Sequence, residues 1–233
     1  MTQSNSATNG LNHTRSRFTI VFFYAAAMAW VEAAVVFYLR TMVDRINPYQ
    51  EMPLPLVGNL GGAELVREAA TMIMLLAVGW LAGSNPRTRI AYSVMAFGVW
   101  DILYYVFLKV MCGWPSSLLD WDILFLIPLP WWGPVIAPVS IAALMIIWGG
   151  MVVFAQDEAF VRVSGAAWMS CWAGILLALY AFMQDALRAA GADTNALRRL
   201  LPTQFNWPVF LVSLLLMSLP IIEMLRKRVL QRG

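Results

Sequence analysis

The chain has 233 residues, of which 61% are hydrophobic and 12% are charged, and its mean hydropathy is +0.68. A soluble domain contains roughly 45–50% apolar and about 25% charged residues. The composition therefore excludes an ordinary soluble enzyme, a disordered chain and a nucleic-acid binder. The net charge of +3 does not indicate nucleic acid, because Lys and Arg lie mostly at the ends of apolar runs, where they orient helices in a bilayer. We expect a membrane protein in contact with lipid.

The N-terminal segment differs in composition from everything that comes after it. Residues 1–12 are mostly Ser, Thr, Asn and Gln, and they are not followed by the short apolar stretch and cleavage site of a secretory signal. We predict a disordered cytoplasmic tail over residues 1–16. A single six-helix transmembrane domain is predicted over residues 17–230.

Six apolar runs are long enough to cross a bilayer, which requires roughly 20 apolar residues for a hydrocarbon core of about 30 Å. They predict an all-α fold, a polytopic membrane helix bundle. The predicted spans cover residues 18–39, 63–82, 90–110, 134–155, 165–186 and 207–225.

A seventh apolar stretch precedes the fourth span and is too short to cross. Residues 121–132 read WDILFLIPLPWW, and Pro128 and Pro130 would interrupt a helix there. Irregular backbone at membrane depth is tolerated only where protein or a water-filled cavity shields it. We therefore predict a proline-broken interfacial or re-entrant segment that leads into the fourth span.

The basic residues predict that both termini are cytoplasmic, in the cell inner membrane. Arg15 and Arg17 precede the first span, and the run 226–228 (RKR) follows the sixth. Cytoplasmic flanks are enriched in Lys and Arg, and an even number of spans returns the chain to its starting side.

Ionisable residues within the spans are the strongest functional signal, because a charge at the bilayer centre costs at least about 2.5–3.5 kcal/mol. Glu32, Glu68 and Asp101 lie at similar depth on three consecutive spans, counted at about 1.5 Å per residue. We predict that they converge on one site in the outer half, with Arg67 and Tyr104 as neighbours. The full set of candidate ligand- or ion-site residues is Glu32, Arg67, Glu68, Asp101, Tyr104, Tyr105, Lys109 and Asp122.

A purely structural interpretation of these residues stays open. Buried acids often pair with Arg to fix the register of neighbouring helices, and Glu68 could stabilise the first turn of its helix. Tyr104 and Tyr105 also fit the aromatic belt of a membrane interface. Asp122 is expected at that interface.

The motifs that the sequence lacks limit the kinds of site that the protein can contain. The only histidine, His13, lies in the polar tail, and the sequence has no P-loop, no GxSxG and no dinucleotide-binding fingerprint. We therefore predict no metal site and no cofactor, and we assign no catalytic residues. Carboxylates without imidazole suit a proton, a hard cation or a small polar or cationic ligand.

Three functions remain, and the sequence leaves open whether the protein is an enzyme. The first is a transport-like protein that handles a cation, a proton or a small polar solute, since interrupted helices often line substrate sites. The second is a membrane-embedded enzyme acting on a lipid or quinone, with a site open sideways to lipid. The third is an accessory subunit, whose helices would meet partners in a larger membrane complex or a homo-oligomer.

Overall fold

The computed structural model describes residues 2–50, 60–125, 130–155, 158–189 and 204–230. Six of the helices in this part of the chain are long and apolar enough to cross a membrane, which confirms the predicted all-α bundle of six transmembrane helices. A further helix, α5, is a single turn between α4 and α6. The helices are α1 (Thr2–Met42), α2 (Leu60–Ala82), α3 (Pro86–Cys112), α4 (Ile136–Val153), α5 (Glu158–Val161), α6 (Gly165–Ala189) and α7 (Trp207–Leu230).

Helix α1 begins earlier than the first predicted span. It is helical from Thr2, so its first turns belong to the segment 1–16 for which the sequence predicts a disordered tail. The part of α1 that is apolar enough to span a membrane is Gly10–Met42. The division into a tail and a transmembrane domain stays a prediction, as does the side of the membrane on which the termini lie.

Helix α3 is the centre of the first four spans. It begins with Pro86 behind a capping box, in which the Asn85 side chain accepts from the Thr88 N–H and the Thr88 hydroxyl accepts from the Asn85 N–H. It ends at Gly113, whose φ of 75° is the left-handed conformation that terminates helices. Helix α3 packs against α1, α2 and α4, whereas α6 packs chiefly against α7.

Close approach of α3 and α4 depends on glycine. A Cβ added at Gly149 would lie 2.7 Å from the carbonyl oxygen of Ala91, and one added at Gly98 would lie 2.6 Å from that of Ala142. Small residues at these crossings let two backbones touch, which is how helices associate where no water drives them together. The two helices therefore have a fixed spacing.

The stretch before α4 forms a β-hairpin, in agreement with the prediction that it does not cross the membrane. Strand β1 (Trp121–Phe125) pairs antiparallel with β2 (Trp131–Pro134), and Asp122 lies opposite Gly133. The sequence predicts irregular backbone here and not a hairpin. Residues 126–129, which include Pro128, lie outside the described residues.

The hairpin lies against the bundle where α1 and α3 end and α4 begins. Strand β2 contacts α4 and α6, and the Trp131 ring stacks on Phe182 of α6 with 6.3 Å between centroids. The Ile136 N–H at the start of α4 donates to the carbonyl of Leu118, just before the hairpin. We call this the hairpin end of the bundle.

Candidate functional site

Ten polar side chains from α1, α2, α3 and β1 meet near the hairpin end. Ion pairs, a hydrogen bond between side chains and electrostatic interactions connect them, and we call this set the polar cluster. Its members are Glu32, Arg40, Glu64, Arg67, Glu68, Thr71, Asp101, Tyr104, Tyr105 and Asp122.

Glu32 of α1 is bound by two side chains of α2. It is 8% exposed and forms an ion pair with Nη1 of Arg67. The Thr71 hydroxyl, one turn further along α2, donates to Oε2 of Glu32 at 3.2 Å. Arg67 was a predicted partner of Glu32 or Asp101, and the structure pairs it with Glu32.

Arg67 also contacts a second acid, Glu64, which lies one turn before it on α2. Its Nη2 lies 2.7 Å from Oε2 of Glu64, and its Nε donates to the same oxygen at 2.9 Å. Glu68 is 8% exposed and interacts electrostatically with both Arg67 and Glu64. The Arg67 guanidinium thus forms ion pairs with Glu32 and Glu64 and interacts electrostatically with Glu68.

The second ion pair joins α1 to the hairpin. Nη2 of Arg40 lies 2.8 Å from Oδ1 of Asp122, which also accepts the Ile123 N–H at 2.9 Å. The guanidinium lies over the ring of Trp114, 4.1 Å from its centroid, and its Nη1 donates to the carbonyl of Ile46. The Arg40 side chain therefore turns into the protein.

Asp122 is buried at the hairpin end of the bundle. It is 1% exposed, and the Tyr105 phenol faces its carboxyl group. Burial raises the pKa of Asp122, although the charge of Arg40 and the hydrogen bonds from Ile123 and Tyr105 act in the opposite direction. Its Oδ2 atom is buried and has no hydrogen-bond partner among the described residues.

Asp101 differs from Glu32, Glu64 and Asp122 because none of the described cations binds it directly. It is 8% exposed in the middle of α3, and its Oδ2 is buried without a hydrogen-bond partner. Among the described residues, no Lys or Arg nitrogen lies within 4.0 Å of its carboxylate, whereas Asp122 interacts with it electrostatically. Asp101 is therefore the least compensated charge of the cluster.

Two tyrosines on α3 link the two ion pairs. Tyr104 interacts electrostatically with Asp122, Arg40, Arg67 and Asp101, and Tyr105 interacts with Asp122, Asp101 and Arg40. Because they lie at i+3 and i+4 from Asp101, their side chains are its neighbours on the helix surface. They make one connected cluster of what would otherwise be two separate ion pairs.

Aromatic rings surround the cluster. Trp100 stacks on Tyr104 at 6.2 Å and contacts Phe125 of the hairpin at 6.5 Å, and Phe125 in turn contacts Trp131 at 5.3 Å. Such rings lower the local dielectric constant, which strengthens every electrostatic interaction inside. The indole N–H groups of Trp100, Trp114 and Trp131 are buried and find no hydrogen-bond partner in the part of the chain that the structure describes.

Among the described members of the cluster, acidic groups outnumber basic ones. Five carboxylates (Glu32, Glu64, Glu68, Asp101 and Asp122) face two guanidinium groups (Arg40 and Arg67) among the described residues. An uncompensated carboxylate is too costly to keep ionised in a buried site, and it takes up a proton or binds a cation. The arrangement is therefore suited to hold positive charge.

The structure brings together seven of the eight predicted site residues. Lys109 is the exception, because its exposed side chain donates to the carbonyl of Gly113 at 2.9 Å and caps the end of α3. Sequence reasoning missed Glu64, Thr71 and Arg40 as cluster members. Arg40 lies two turns after Glu32 on the same stripe of α1, and that spacing was the available signal.

A cavity of about 330 Å³ lies elsewhere at the hairpin end, between α6 and α7, and shares no residue with the polar cluster. It is lined by Gln184, Asp185, Arg188, Gln204, Phe205, Asn206 and Pro208. Hydrogen bonds of side-chain amides connect the lining residues: Gln184 donates to the backbone carbonyl of Gln204 and accepts from the Asn206 side chain. The buried carboxylates lie away from it.

No protein-family model, no curated protein and no solved structure matches the chain. Within the ranges that the structure describes, no group of three His, Cys, Asp or Glu side chains could hold a metal ion. Any function assigned to the chain therefore depends on the geometry and charge of the polar cluster.

Proposed function

We propose that the protein is a transport-like membrane protein that binds a proton or a small cation in the polar cluster and exchanges it with water at the hairpin end. The proposal includes the inner membrane, cytoplasmic termini and an outward-facing hairpin end. Asp101 and Asp122 bind the charge, and Arg67 with Glu32, Glu64 and Thr71 forms the wall that holds α1 and α2 beside them.

The observation that carries this proposal is the uncompensated charge of Asp101. Its carboxylate is buried, it has an oxygen without a hydrogen-bond partner among the described residues, and both guanidinium groups of the cluster are bound to other acids. Buried polar atoms in native structures are normally hydrogen-bonded, so a buried carboxylate oxygen without a protein partner is an acceptor for a proton, a water molecule or an ion. A cation or a proton satisfies both the oxygen and its charge.

The hairpin supports exchange at this end of the bundle. It supplies Asp122, and it is a segment of non-helical backbone that lies directly against the cluster through the Arg40–Asp122 ion pair. Non-helical backbone in membrane proteins occurs where protein or a water-filled space shields it, and transporters bind substrates beside such breaks. Movement of the hairpin relative to α1 would open the cluster.

A binding assay on the purified protein tests the proposal. Thermal unfolding is followed by circular dichroism in detergent at pH 5 to 9 with sodium, potassium, ammonium or choline chloride, for the wild type, Asp101→Asn and Asp185→Asn. A ligand at 100 times its Kd stabilises by about 2.7 kcal/mol, which is about 5–10 °C for a chain of this length. Asp185 is a matched control because it lies outside the cluster near the end of α6.

The expected result is that lower pH, or one of the cations, stabilises the wild type and Asp185→Asn but not Asp101→Asn. Equal responses in all three proteins would contradict the proposal. An unchanged unfolding temperature of the wild type under every condition would contradict it as well.

A further inference from the structure

We infer that the species bound by the polar cluster is a proton, and that Asp101 and Asp122 form a carboxyl pair that shares it, with Asp101 as the protonated member. The inference rests on the proposed function, because it names the ligand of the same site. It goes beyond that function by assigning the bound species and the atom that binds it.

The two carboxyls are buried on elements that pack together, because Phe125 of β1 contacts Trp100 of α3 with 6.5 Å between ring centroids. Asp101 is 8% exposed and Asp122 is 1% exposed, and each carboxyl lies within electrostatic range of the other. Each has a buried Oδ2 that finds no hydrogen-bond partner among the described residues. Two neighbouring carboxylates in a site of low dielectric constant do not both stay ionised, because the repulsion between them favours one shared proton.

The surroundings of the two carboxyls decide which member carries the proton. The ionised form of Asp122 is stabilised by Arg40 at 2.8 Å, by the Ile123 N–H and by the Tyr105 phenol. In the part of the chain that the structure describes, Asp101 has no ion pair. The proton therefore resides on Asp101, and Asp122 remains the anion.

Among the described residues, the other charged and titratable groups around Asp101 leave no cation to replace the proton. Helix α4, which packs against α3 on the other side, contains no ionisable residue. Arg40 and Arg67 are bound to Asp122 and to the acids of α2, so neither is available. The groups contributed by the surrounding elements are Glu32 and Arg40 from α1, Glu64, Arg67 and Glu68 from α2, Tyr104 and Tyr105 from α3, and Asp122 from β1.

The chemistry is a proton transfer without change of oxidation state. A hydronium ion from the aqueous side gives its proton to Oδ2 of Asp101, an O–H bond forms there, and one water molecule is released. The new hydroxyl is a donor, and Oδ2 of Asp122 or a bridging water accepts from it. One proton thus neutralises one charge and satisfies two buried oxygens.

Infrared difference spectroscopy of the full-length protein in detergent tests the inference, because a protonated carboxyl has a C=O stretch that a carboxylate lacks. Spectra are recorded from pH 5 to 9 for the wild type, Asp101→Asn, Asp122→Asn and Asp185→Asn. We expect one titrating carboxyl band per wild-type molecule that is absent in Asp101→Asn and retained in Asp185→Asn. In Asp122→Asn the band should disappear at a lower pH, because the repelling charge is gone and Arg40 is free to approach.

Labelling keeps the test decisive if Asp101→Asn does not fold. Wild-type protein that carries carbon-13 in its aspartate carboxyl groups should show the band shifted to lower frequency. A band that does not shift, a wild type without a titrating band, or a band that survives in folded Asp101→Asn overturns the inference. Cation-dependent stabilisation without this band would leave the proposed function standing, whereas the band without any transport would refute the function and leave the carboxyl pair.

Discussion

Replacement of Arg40 by Met should destabilise the protein strongly and in a pH-dependent way. The substitution keeps an unbranched side chain over Trp114 but removes the charge that lies 2.8 Å from Asp122. Asp122 is only 1% exposed, so its carboxyl cannot recover hydration and must fold in the neutral form.

The magnitude is set by the cost of holding that proton. Each pH unit above the ordinary pKa of a carboxyl, 3.8 for Asp122, costs about 1.4 kcal/mol when the folded state keeps the group neutral. Because burial already raises the pKa of Asp122 in the wild type, the variant should lose up to about 4 kcal/mol at pH 7 and up to about 1.5 kcal/mol at pH 5. The sign is that of a raised carboxyl pKa: the loss is largest at high pH and disappears as the pH falls to the ordinary pKa.

Unfolding in SDS, followed by far-ultraviolet circular dichroism at pH 5 and pH 7, measures these differences. The double variant Arg40→Met/Asp122→Asn should be more stable at pH 7 than Arg40→Met alone, and this advantage should shrink at pH 5. Arg188→Met is the matched control, because Arg188 is 70% exposed and its contact to Asp185 is worth little. An Arg40→Met variant that is as stable as this control, or equally destabilised at both pH values, would refute the reasoning.

Three further variants test other parts of the structure. Thr71→Val should lower the free energy of unfolding by about 1–3 kcal/mol, because it leaves a buried oxygen of Glu32 without its donor. Unfolding in SDS measures the loss, and an unchanged stability would contradict the assigned contact. Gly149→Ala should cost about 1–3 kcal/mol in the same assay, because its Cβ would lie 2.7 Å from the α3 backbone, whereas Gly150→Ala, with nothing within 4 Å, should be neutral or stabilising. Lys109→Gln should leave the titrating carboxyl band in the infrared spectrum unchanged, since this side chain caps α3. A lost or shifted band would show that Lys109 contributes to the site.

The sequence predicts the helices well because the bilayer imposes both length and composition on each span. The predicted fourth span, residues 134–155, differs from Ile136–Val153 by two residues at each end. The hairpin was not predicted, since a short apolar run between prolines is equally compatible with a coil, a strand or a broken helix. The hairpin packs on aromatic rings from α6 and from the residues just before α7: Trp131 contacts Phe182, and Trp121 contacts Phe205. The sequence alone does not show that these distant rings lie beside the hairpin.

The polar cluster was predicted in part, for a physical reason. Counting the rise along each helix gives depth, so Glu32, Glu68 and Asp101 could be assigned to one layer. Depth does not give the rotation of a helix about its axis or the fold of a connecting segment. The pairing of Arg40 with Asp122, which are 82 residues apart, depends on both and appears only in the structure.

Proton uptake into vesicles tests directly whether the polar cluster exchanges positive charge through Asp101. Wild type, Asp101→Asn and Asp185→Asn are reconstituted at equal density, a potassium diffusion potential negative inside is imposed, and an internal pH-sensitive dye reports the initial rate. We expect uptake by the wild type and by Asp185→Asn, at rates that rise as the external pH falls, and a rate for Asp101→Asn equal to that of protein-free vesicles. Uptake by Asp101→Asn at the wild-type rate would contradict the proposed exchange.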